Sequence, residues 1–388
     1  MWLLNIGAVS PVFQLRKISL YSPERRIEMS AVLKYHDFSM PNGPIEGPSA
    51  WYGPDMAAKE DWSRRFSDVE LAELDAAMRS ISAKGIGVID ITRENFPLPK
   101  LGSVFAGIRH ELLQGRGFTL LRGIPVERYS LEESAMIYYG IGVHLGHPVP
   151  QNAKGHVLGH VKDLGYHPDD TKVRIYQTTV RQTFHTDGCD FVSLFCLKPA
   201  KSGGLSSIVS SVTIFNEMYR RRPELAATLF YPLAVDRRGE VPEGYKGYFD
   251  MPPFNWFEGR LSTYYVRRYI QSAERFDDVP SLSGETLEAL DFFDELANDA
   301  ELRLDMEFKP GDIQVLHNHQ ILHDRTAFED WPEPERKRHL LRLWLSPEGA
   351  RPLPEHFIPR YNSVVSGDPG RGGIHTPRQI LNAPLEAV

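Results

Sequence analysis

The chain has 388 residues, of which 41% are hydrophobic and 24% are charged, as in an ordinary folded protein. Its net charge of −7 argues against a general nucleic-acid-binding protein, which would need a basic surface. Two cysteines exclude a disulfide framework and favour a reducing compartment. No stretch reaches the roughly 20 apolar residues of a membrane span, so we expect a cytoplasmic protein without a membrane partner.

The N-terminal residues 1–62 predict an arm or extension that is disordered in part. Residues 36–62 are rich in Pro, Gly and Trp, which is typical of a surface arm rather than a regular element. Residues 1–28 are either an extension from an alternative start or a tail, and the sequence leaves both open. Residues 63–388 predict a single domain, because no linker long enough to separate domains interrupts them.

Two capping boxes predict the starts of helices in the first part of the chain. Ser67–Glu70 opens a helix with apolar residues at helical spacing, and Ser130–Glu133 opens another that ends near residue 145. A third helix is predicted at about 102–114. Two short apolar runs predict strands at 86–91 and 118–125.

Short β-type runs separated by turn residues dominate the chain from about residue 155. They fall at 173–184, 190–197, 205–211, 229–236, 261–266, 302–308, 312–317 and 339–346. Two helices interrupt them, near 212–221 and 284–298. Many short strands after an early mixed part predict a mainly β fold with α elaboration, a barrel or jelly roll with flanking helices.

A candidate metal site begins at His185 and Asp187, which follow a strand-like run. Residues two apart on a strand face the same side, so both side chains can converge on one ion. Alone, His-x-Asp is a weak signal. His323 follows another predicted strand, and two histidines with one carboxylate are the ligand set of non-haem Fe(II) oxygenases, which leaves open positions on the metal. His317 and His319 are alternative ligands by residue type.

Two arginines follow within twenty residues of His323. Arg338 and Arg342 are four apart on a predicted strand and can share a face. An arginine fork can hold the far carboxylate of a dicarboxylate co-substrate through two parallel hydrogen bonds. The pattern from Asp312 to Arg342 therefore favours His323 as the third ligand and predicts an Fe(II)- and 2-oxoglutarate-dependent dioxygenase.

Several motifs together resemble the TauD/TfdA family of taurine- and chlorophenoxyacetate-type dioxygenases and the related clavaminate-synthase-like enzymes. They span about residues 115–346: Gly117-Phe118-x-Leu120-x-Arg122-Gly123-x-Pro125, His185-x-Asp187, Gly203-Gly204-Leu205-Ser206, and Gly311-Asp312 followed by Asn318, His323, Arg325, Arg338 and Arg342. The resemblance implies a double-stranded β-helix (jelly-roll) core over about 115–346, with the metal at one mouth of the barrel.

The resemblance also implies roles for individual residues. His185, Asp187 and His323 resemble the metal ligands, and Arg338 resembles the arginine that binds the distal carboxylate of 2-oxoglutarate. Ser206 falls where the family usually has a threonine that shares this duty. Arg342 resembles a second arginine that faces either the co-substrate or an acidic group of the prime substrate. The spacing from His323 to Arg338 is closer to the clavaminate type than to the taurine type.

The expected reaction uses Fe(II), 2-oxoglutarate and O2, hydroxylates a C–H bond of a small organic molecule, acidic or amino-acid-derived, and releases succinate and CO2. Gln151, Asn152 and Arg181 are candidate substrate contacts, and the aromatic residues of 245–276 form either a lid or core packing. Relatives suggest a homo-oligomer. Desaturation, epimerisation and ring formation remain variants, and a catalytically silent metabolite-binding relative and a zinc-dependent hydrolase remain alternatives.

Overall fold

The computed structural model describes residues 39–167 and 173–387, which lie within one compact unit, Phe38–Val388. The expectations for residues 1–38 therefore lie outside the described residues. Among the described residues, none of the helices is long and apolar enough to cross a membrane.

The described residues contain nine α-helices and six short 3-10 helices. The α-helices are α1 Gly53–Lys59, α2 Asp68–Ala83, α3 Leu101–Gln114, α4 Leu131–Leu145, α5 Ser211–Arg221, α6 Pro223–Thr228, α7 Arg267–Ser272, α8 Gly284–Asn298 and α9 Ile358–Tyr361. The 3-10 helices are Val88–Asp90, Val126–Arg128, Ile175–Gln177, Ala273–Arg275, Pro334–Arg336 and Glu355–Phe357. Both predicted capping boxes are present, so the predicted starts of α2 and α4 are confirmed.

Seventeen strands form the β part of the described residues. They are β1 Ser63–Arg65, β2 Phe118–Arg122, β3 His147–Val149, β4 Leu158–Val161, β5 Gln182–His185, β6 Phe191–Lys198, β7 Ser202–Gly203, β8 Ser206–Ser210, β9 Leu233–Asp236, β10 Tyr248–Met251, β11 Phe254–Phe257, β12 Arg260–Thr263, β13 Leu304–Met306, β14 Ile313–His317, β15 Ile321–Arg325, β16 Phe328–Glu329 and β17 His339–Ser346.

Two sheets organise the domain. The larger has seven strands in the order β1-β2-β14-β6-β17-β3, with β4 also paired to β17. The smaller has four antiparallel strands in the order β13-β8-β15-β5. Three two-stranded ladders, β9 with β10, β11 with β12 and β7 with β16, complete the pairing. The result is a mixed, sheet-rich fold with helices.

The alternation of side chains along β17 shows how the larger sheet is layered. Leu341, Leu343 and Leu345 belong to the core that α2, α3 and α4 cover. Leu340 and Trp344, on the opposite face, belong to a second core shared with the smaller sheet. Successive strand residues point to opposite faces, so Arg342 must face the space between the two sheets.

The outer face of the smaller sheet packs against a third core, built by α5, α6, α8 and the strands β9 to β12. Several aromatic residues of 245–276 are buried there, including Phe249, Phe254, Tyr264 and Tyr265. The core-packing alternative accounts for these four, whereas Tyr245 is 38% exposed.

Three local expectations were wrong or incomplete. The predicted strand at 86–91 is absent: Val88–Asp90 is a 3-10 helix, and Val88 and Ile91 are buried three residues apart, which matches a 3-10 period. Helix α1 lies in the predicted irregular arm, with a proline in its first turn where the missing N–H is harmless. Strand β15 was missed because all five of its residues are buried, so it shows no polar alternation.

Candidate active site

Two strands of the smaller sheet bring the predicted metal-binding residues together. His185 ends β5 and lies directly opposite His323 on β15, and Asp187 follows two residues after His185. One potential ligand atom from each of the three lies within 4.8 Å of the others. His185 Nε2 is 3.9 Å from Asp187 Oδ1, and His323 Nε2 is 3.9 Å from Asp187 Oδ2. All three side chains are buried.

The histidines are held in the form that can bind a metal. His185 Nδ1 lies 2.8 Å from the carbonyl oxygen of Thr183 and can only donate to it, which leaves the Nε2 lone pair facing the cluster. The amide N–H of Gln182 donates to this same Nε2 at 2.8 Å, so a metal ion bound there would replace this hydrogen bond. Burial and the neighbouring His185 lower the pKa of His323 to about 3. A neutral imidazole is the ligand form that a metal requires.

Asp187 is ionised and held by polar contacts. Burial alone would raise its pKa, but the cation of Arg342, with help from a Trp344 hydrogen bond, holds the pKa below its ordinary value. Trp344 Nε1 donates to Asp187 Oδ2 at 2.9 Å. The backbone N–H of Asp187 donates to Asn318 Oδ1 at 3.2 Å.

Arg342 lies beside the candidate ligand Asp187. Its Nη1 is 3.6 Å from Asp187 Oδ2, and its Nε donates to Gln151 Oε1 at 2.7 Å. The amide of Gln151 donates to the backbone carbonyl oxygen of Arg342 at 2.8 Å, so two hydrogen bonds, one in each direction, join the two residues. The guanidinium also stacks over the rings of Tyr176 and Trp344, at 4.6 and 5.1 Å.

A second basic pocket surrounds the ring of Phe328. The guanidinium carbons of Arg338 and Arg325 lie 5.2 and 4.7 Å from this ring. Both arginines are buried, and among the described residues Arg338 Nη1 and Arg325 Nε have no hydrogen-bond partner. Gly204 makes room for this arrangement: a Cβ there would lie 3.2 Å from Arg338 Nε, and its φ is +69°. Burial lowers the pKa of Arg338 to about 10.

Ser206 connects this basic pocket to the histidine cluster. It lies on β8 directly opposite Arg325 of β15, and Arg325 is two residues beyond His323. Because residues two apart on a strand share a face, Ser206, Arg325 and His323 all face the space between the sheets. Ser206 Oγ lies 3.3 Å from the amide of Gln314.

Asn152 and Arg181 lie elsewhere. Asn152 Oδ1 accepts hydrogen bonds from two backbone N–H groups of its own turn, and the residue lines a depression with Gln151 and Tyr176. Arg181 donates to Asp324 at 2.8 Å, and its side chain is 44% exposed. Asp324 follows His323 on β15 and points to the other face, so the structure does not bring Arg181 to the cluster.

His317 and His319 belong to a different polar group. His319 Nε2 contacts Asp190 at 2.9 Å, and His317 Nδ1 faces Arg351 at 3.4 Å. Both rings are fully buried. Neither histidine joins the His185, Asp187 and His323 group among the described residues.

Sequence reasoning missed several residues that touch the site. Trp344 could have been predicted, because it lies two residues after Arg342 on one strand and the two side chains must therefore share a face. The contact of Gln182 with the site could not have been predicted, because the pairing of β5 with β15 shifts register between His323 and Arg325. Tyr176 reaches the site from a 3-10 turn rather than from the predicted strand.

The observed groups fit iron and a keto-acid co-substrate. Two imidazoles and one carboxylate within 4.8 Å are the donor set of non-haem Fe(II) oxygenases. Arg338 Nη1, buried and without a partner among the described residues, fits a carboxylate. The fold and this site define the class: the protein is a non-haem Fe(II)- and 2-oxoglutarate-dependent dioxygenase.

The comparison with known proteins identifies the family within this class. The chain matches the taurine catabolism dioxygenase TauD, TfdA family over residues 81–344, and it belongs to that family. FR-33289 synthase of Streptomyces rubellomurinus is 31% identical over 315 residues, which cover 80% of this chain and 93% of the relative. A taurine hydroxylase-like protein of Stachybotrys chartarum is 30% identical over 311 residues, 78% of this chain and 79% of the relative. The family predicted from the motifs is confirmed.

Solved structures support the fold at lower sequence identity. An asparagine oxygenase in complex with Fe(II), hydroxyasparagine and succinate aligns with a TM-score of 0.57 at 15% identity, over 73% of this chain and 93% of its own. The non-haem iron oxygenase OrfP, in complex with Fe, succinate and (3S)-hydroxy-L-Arg, aligns with a TM-score of 0.56 at 13% identity, over 73% and 94%.

Proposed function

We propose that His185, Asp187 and His323 bind the Fe(II) of this dioxygenase, and that Arg338 and Ser206 bind the distal carboxylate of 2-oxoglutarate. The observation that carries the proposal is the convergence of three buried ligand atoms within 4.8 Å. When bound, iron and 2-oxoglutarate use O2 to hydroxylate a C–H bond of the substrate and yield succinate and CO2.

The residues of the chain supply charge, geometry and exclusion of water. Two neutral imidazoles and the carboxylate of Asp187 give the ion one negative charge from the protein. Arg338 provides a buried cation whose free N–H groups can form charge-assisted hydrogen bonds with a carboxylate. Burial on every side shields this pocket from water and strengthens those bonds.

The substrate is a small organic acid or an amino-acid derivative. Arg342 supports this class: its Nε and Nη1 face Gln151 and Asp187, so Nη2 is the nitrogen we assign to an acidic group of the substrate. Gln151 orients this guanidinium, and Asn152 borders the depression beside it. The structural neighbours named above were solved with hydroxylated asparagine and hydroxylated arginine, which agrees with such a substrate.

The architecture that we propose is a double-stranded β-helix with its core over about 115–346, within one catalytic domain over 63–388. The two facing sheets, with the candidate ligands on their inner side, support the jelly roll. A cytoplasmic enzyme without a nucleic-acid partner agrees with the net charge of −7 and two cysteines. A homo-oligomer is proposed on the resemblance alone.

The test is anaerobic addition of Fe(II) and then 2-oxoglutarate to the metal-free protein. We expect the visible charge-transfer band of the chelated keto acid, its absence in His185→Ala and His323→Ala, and a much higher 2-oxoglutarate requirement in Arg338→Ala. Arg336→Ala is the matched control, because this arginine is 48% exposed and stacks on Trp331. Full activity in His323→Ala would refute the assignment of His323 as a metal ligand.

Two further outcomes separate the alternatives. Tight zinc binding without a charge-transfer band and without oxygen consumption would favour a zinc-dependent hydrolase. A band without succinate release in the presence of candidate substrates would favour a silent binding protein. Neither alternative explains a buried arginine pair beside a two-histidine, one-carboxylate group, and so the dioxygenase remains the conclusion.

A further inference from the structure

The two carboxylate oxygens of Asp187 are in different environments. Oδ2 accepts the indole N–H of Trp344 at 2.9 Å and lies 3.6 Å from Arg342 Nη1. Oδ1 lies 3.9 Å from His185 Nε2, and among the described residues no hydrogen bond reaches it. Oδ2 is itself 3.9 Å from His323 Nε2, so both oxygens are within reach of an ion in the cluster. The surrounding donors therefore decide which oxygen remains available.

Trp344 is fixed in place by its own strand and core. It lies in the middle of β17, paired with Val149 of β3 on one side and Val192 of β6 on the other. Its side chain is 5% exposed and packs in the core between the sheets. Arg342 stacks on its ring at 5.1 Å. A donor locked by packing holds a ligand in position without needing to reorganise when the ion binds.

The number of oxygens that Asp187 offers changes the chemistry available at the metal. A carboxylate binds an ion through one oxygen or through both. An octahedral ion with three single-atom protein ligands keeps three positions for other molecules, whereas a chelating carboxylate would close one of them. A keto acid that chelates needs two positions, and oxygen needs the third.

We propose that Trp344 is a positioning residue, which holds Oδ2 of Asp187 so that Oδ1 alone is offered to the metal. This inference rests on the proposed assignment of Asp187 as a ligand. Arg342 supports the same orientation from the same strand face, but at 3.6 Å it acts through its charge rather than through a short hydrogen bond.

The experiment uses Co(II), which binds such sites and reports its coordination by visible absorption, and compares wild type with Trp344→Phe. We expect the Co(II) affinity of Trp344→Phe to fall by about 10- to 100-fold, with an altered absorption spectrum. The affinity of its Co(II) form for 2-oxoglutarate should fall as well. Trp62→Phe is the matched control, because this buried indole donates at the same 2.9 Å but to the backbone carbonyl of Met56. It should change thermal stability alone.

A second variant keeps the test decisive if Trp344→Phe folds poorly. Incorporation of 3-benzothienylalanine at position 344 keeps the shape of the ring and removes only the N–H donor, and it should reproduce the loss of Co(II) affinity. Wild-type affinity and spectrum in both variants would overturn the role of Trp344, while the metal site would stand if His185→Ala no longer bound Co(II). Failure of the wild type to bind Co(II) would overturn the metal site and this inference together.

Discussion

Replacing Arg338 by methionine should stabilise the protein in the absence of 2-oxoglutarate. The guanidinium is 4% exposed, and burial lowers its pKa from 12.5 to about 10. A base whose pKa is lower in the folded state binds its proton less tightly there, so at pH 7 the buried charge destabilises the fold. The difference corresponds to about 3 kcal/mol. Methionine is flexible and can fill the space over Phe328 without that charge.

The expected change in melting temperature follows from the size of the domain. A compact unit of 38–388 unfolds with an entropy of about 2.1 cal/mol/K per residue, or roughly 0.7 kcal/mol per degree. A gain of about 3 kcal/mol would thus raise the melting temperature by about 4 °C. Loss of the arginine contacts with the aromatic ring offsets part of it, so we expect a rise of about 2 to 4 °C.

The advantage of Arg338→Met over the wild type should disappear when 2-oxoglutarate is present. Removing one partner of a buried, hydrogen-bonded charge pair costs about 2 to 5 kcal/mol, or roughly 30- to 4,000-fold in affinity. At a concentration of about 100 times the dissociation constant, 2-oxoglutarate adds about 2.7 kcal/mol to the wild type, again about 4 °C. Arg338→Met should gain almost none of this.

The assay is thermal unfolding of the Co(II)-loaded protein without and with 2-oxoglutarate, followed by intrinsic fluorescence. Arg336→Met, two residues away and half exposed, should match the wild type under both conditions. The reasoning is refuted if Arg338→Met lowers the melting temperature without 2-oxoglutarate and keeps the full rise with it. That result would mean that the arginine charge is compensated within the protein and does not await a ligand.

Three further predictions test the surroundings of the site. Gly188→Ala places a Cβ 1.5 Å from Arg360 Nη2, so it should cost about 1–3 kcal/mol in denaturant unfolding and weaken Fe(II) binding. Helical Gly107→Ala, whose Cβ meets nothing within 4 Å, should be neutral or stabilising, and equal behaviour of the two variants would contradict this reading. Burial and a neighbouring histidine lower the pKa of His339 to about 3, so acidification below about 6.5 should cost about 1 kcal/mol per pH unit, because the unfolded chain takes up the proton first. His339→Gln should reduce the slope of the unfolding free energy between pH 5 and 6.5 by about 1 kcal/mol per pH unit, with the contribution of His323 retained, and an unchanged slope would refute the assignment. Ser206→Ala should weaken 2-oxoglutarate binding by about 2- to 10-fold in anaerobic titration. Ser206→Thr should stay within about twofold of wild type, and equal losses in both variants would mean that the hydroxyl has no role.

Half of the convergence of the candidate ligands could be predicted from local rules. His185 and Asp187 are two residues apart beside a strand, and this spacing alone indicates a shared face. The long-range half depended on the pattern from Asp312 to Arg342 and on the family resemblance, because nothing local in the sequence pairs His323 with His185. The pairing arises from β15 lying between β8 and β5, a register that is set by the whole sheet.

Other parts of the site could not be predicted, and the reasons are physical. Arg181 is four residues before His185, but it precedes β5, and the carboxylate of Asp324 draws it to the outer face. The run 173–184 predicted one strand, yet a 3-10 turn at Ile175–Gln177 brings Tyr176 over Arg342. Tertiary contacts overrode local propensity at both places.

The strongest sequence signal of function is the presence of polar residues where the fold requires apolar ones. Strand β15 is buried along its whole length and yet carries His323, Asp324 and Arg325. The side chains of strand β17 alternate between its two faces, and the face toward the other sheet carries Arg342 between Leu340 and Trp344. Buried charges destabilise a fold unless they are paired, so such strands persist where a ligand or a partner side chain compensates them. The same rule separates the two buried cations beside Phe328: Arg325 donates to the backbone carbonyl oxygens of Thr178 and Val180, whereas Arg338 Nη1 has no partner among the described residues, which supports Arg338 as the arginine that binds the co-substrate.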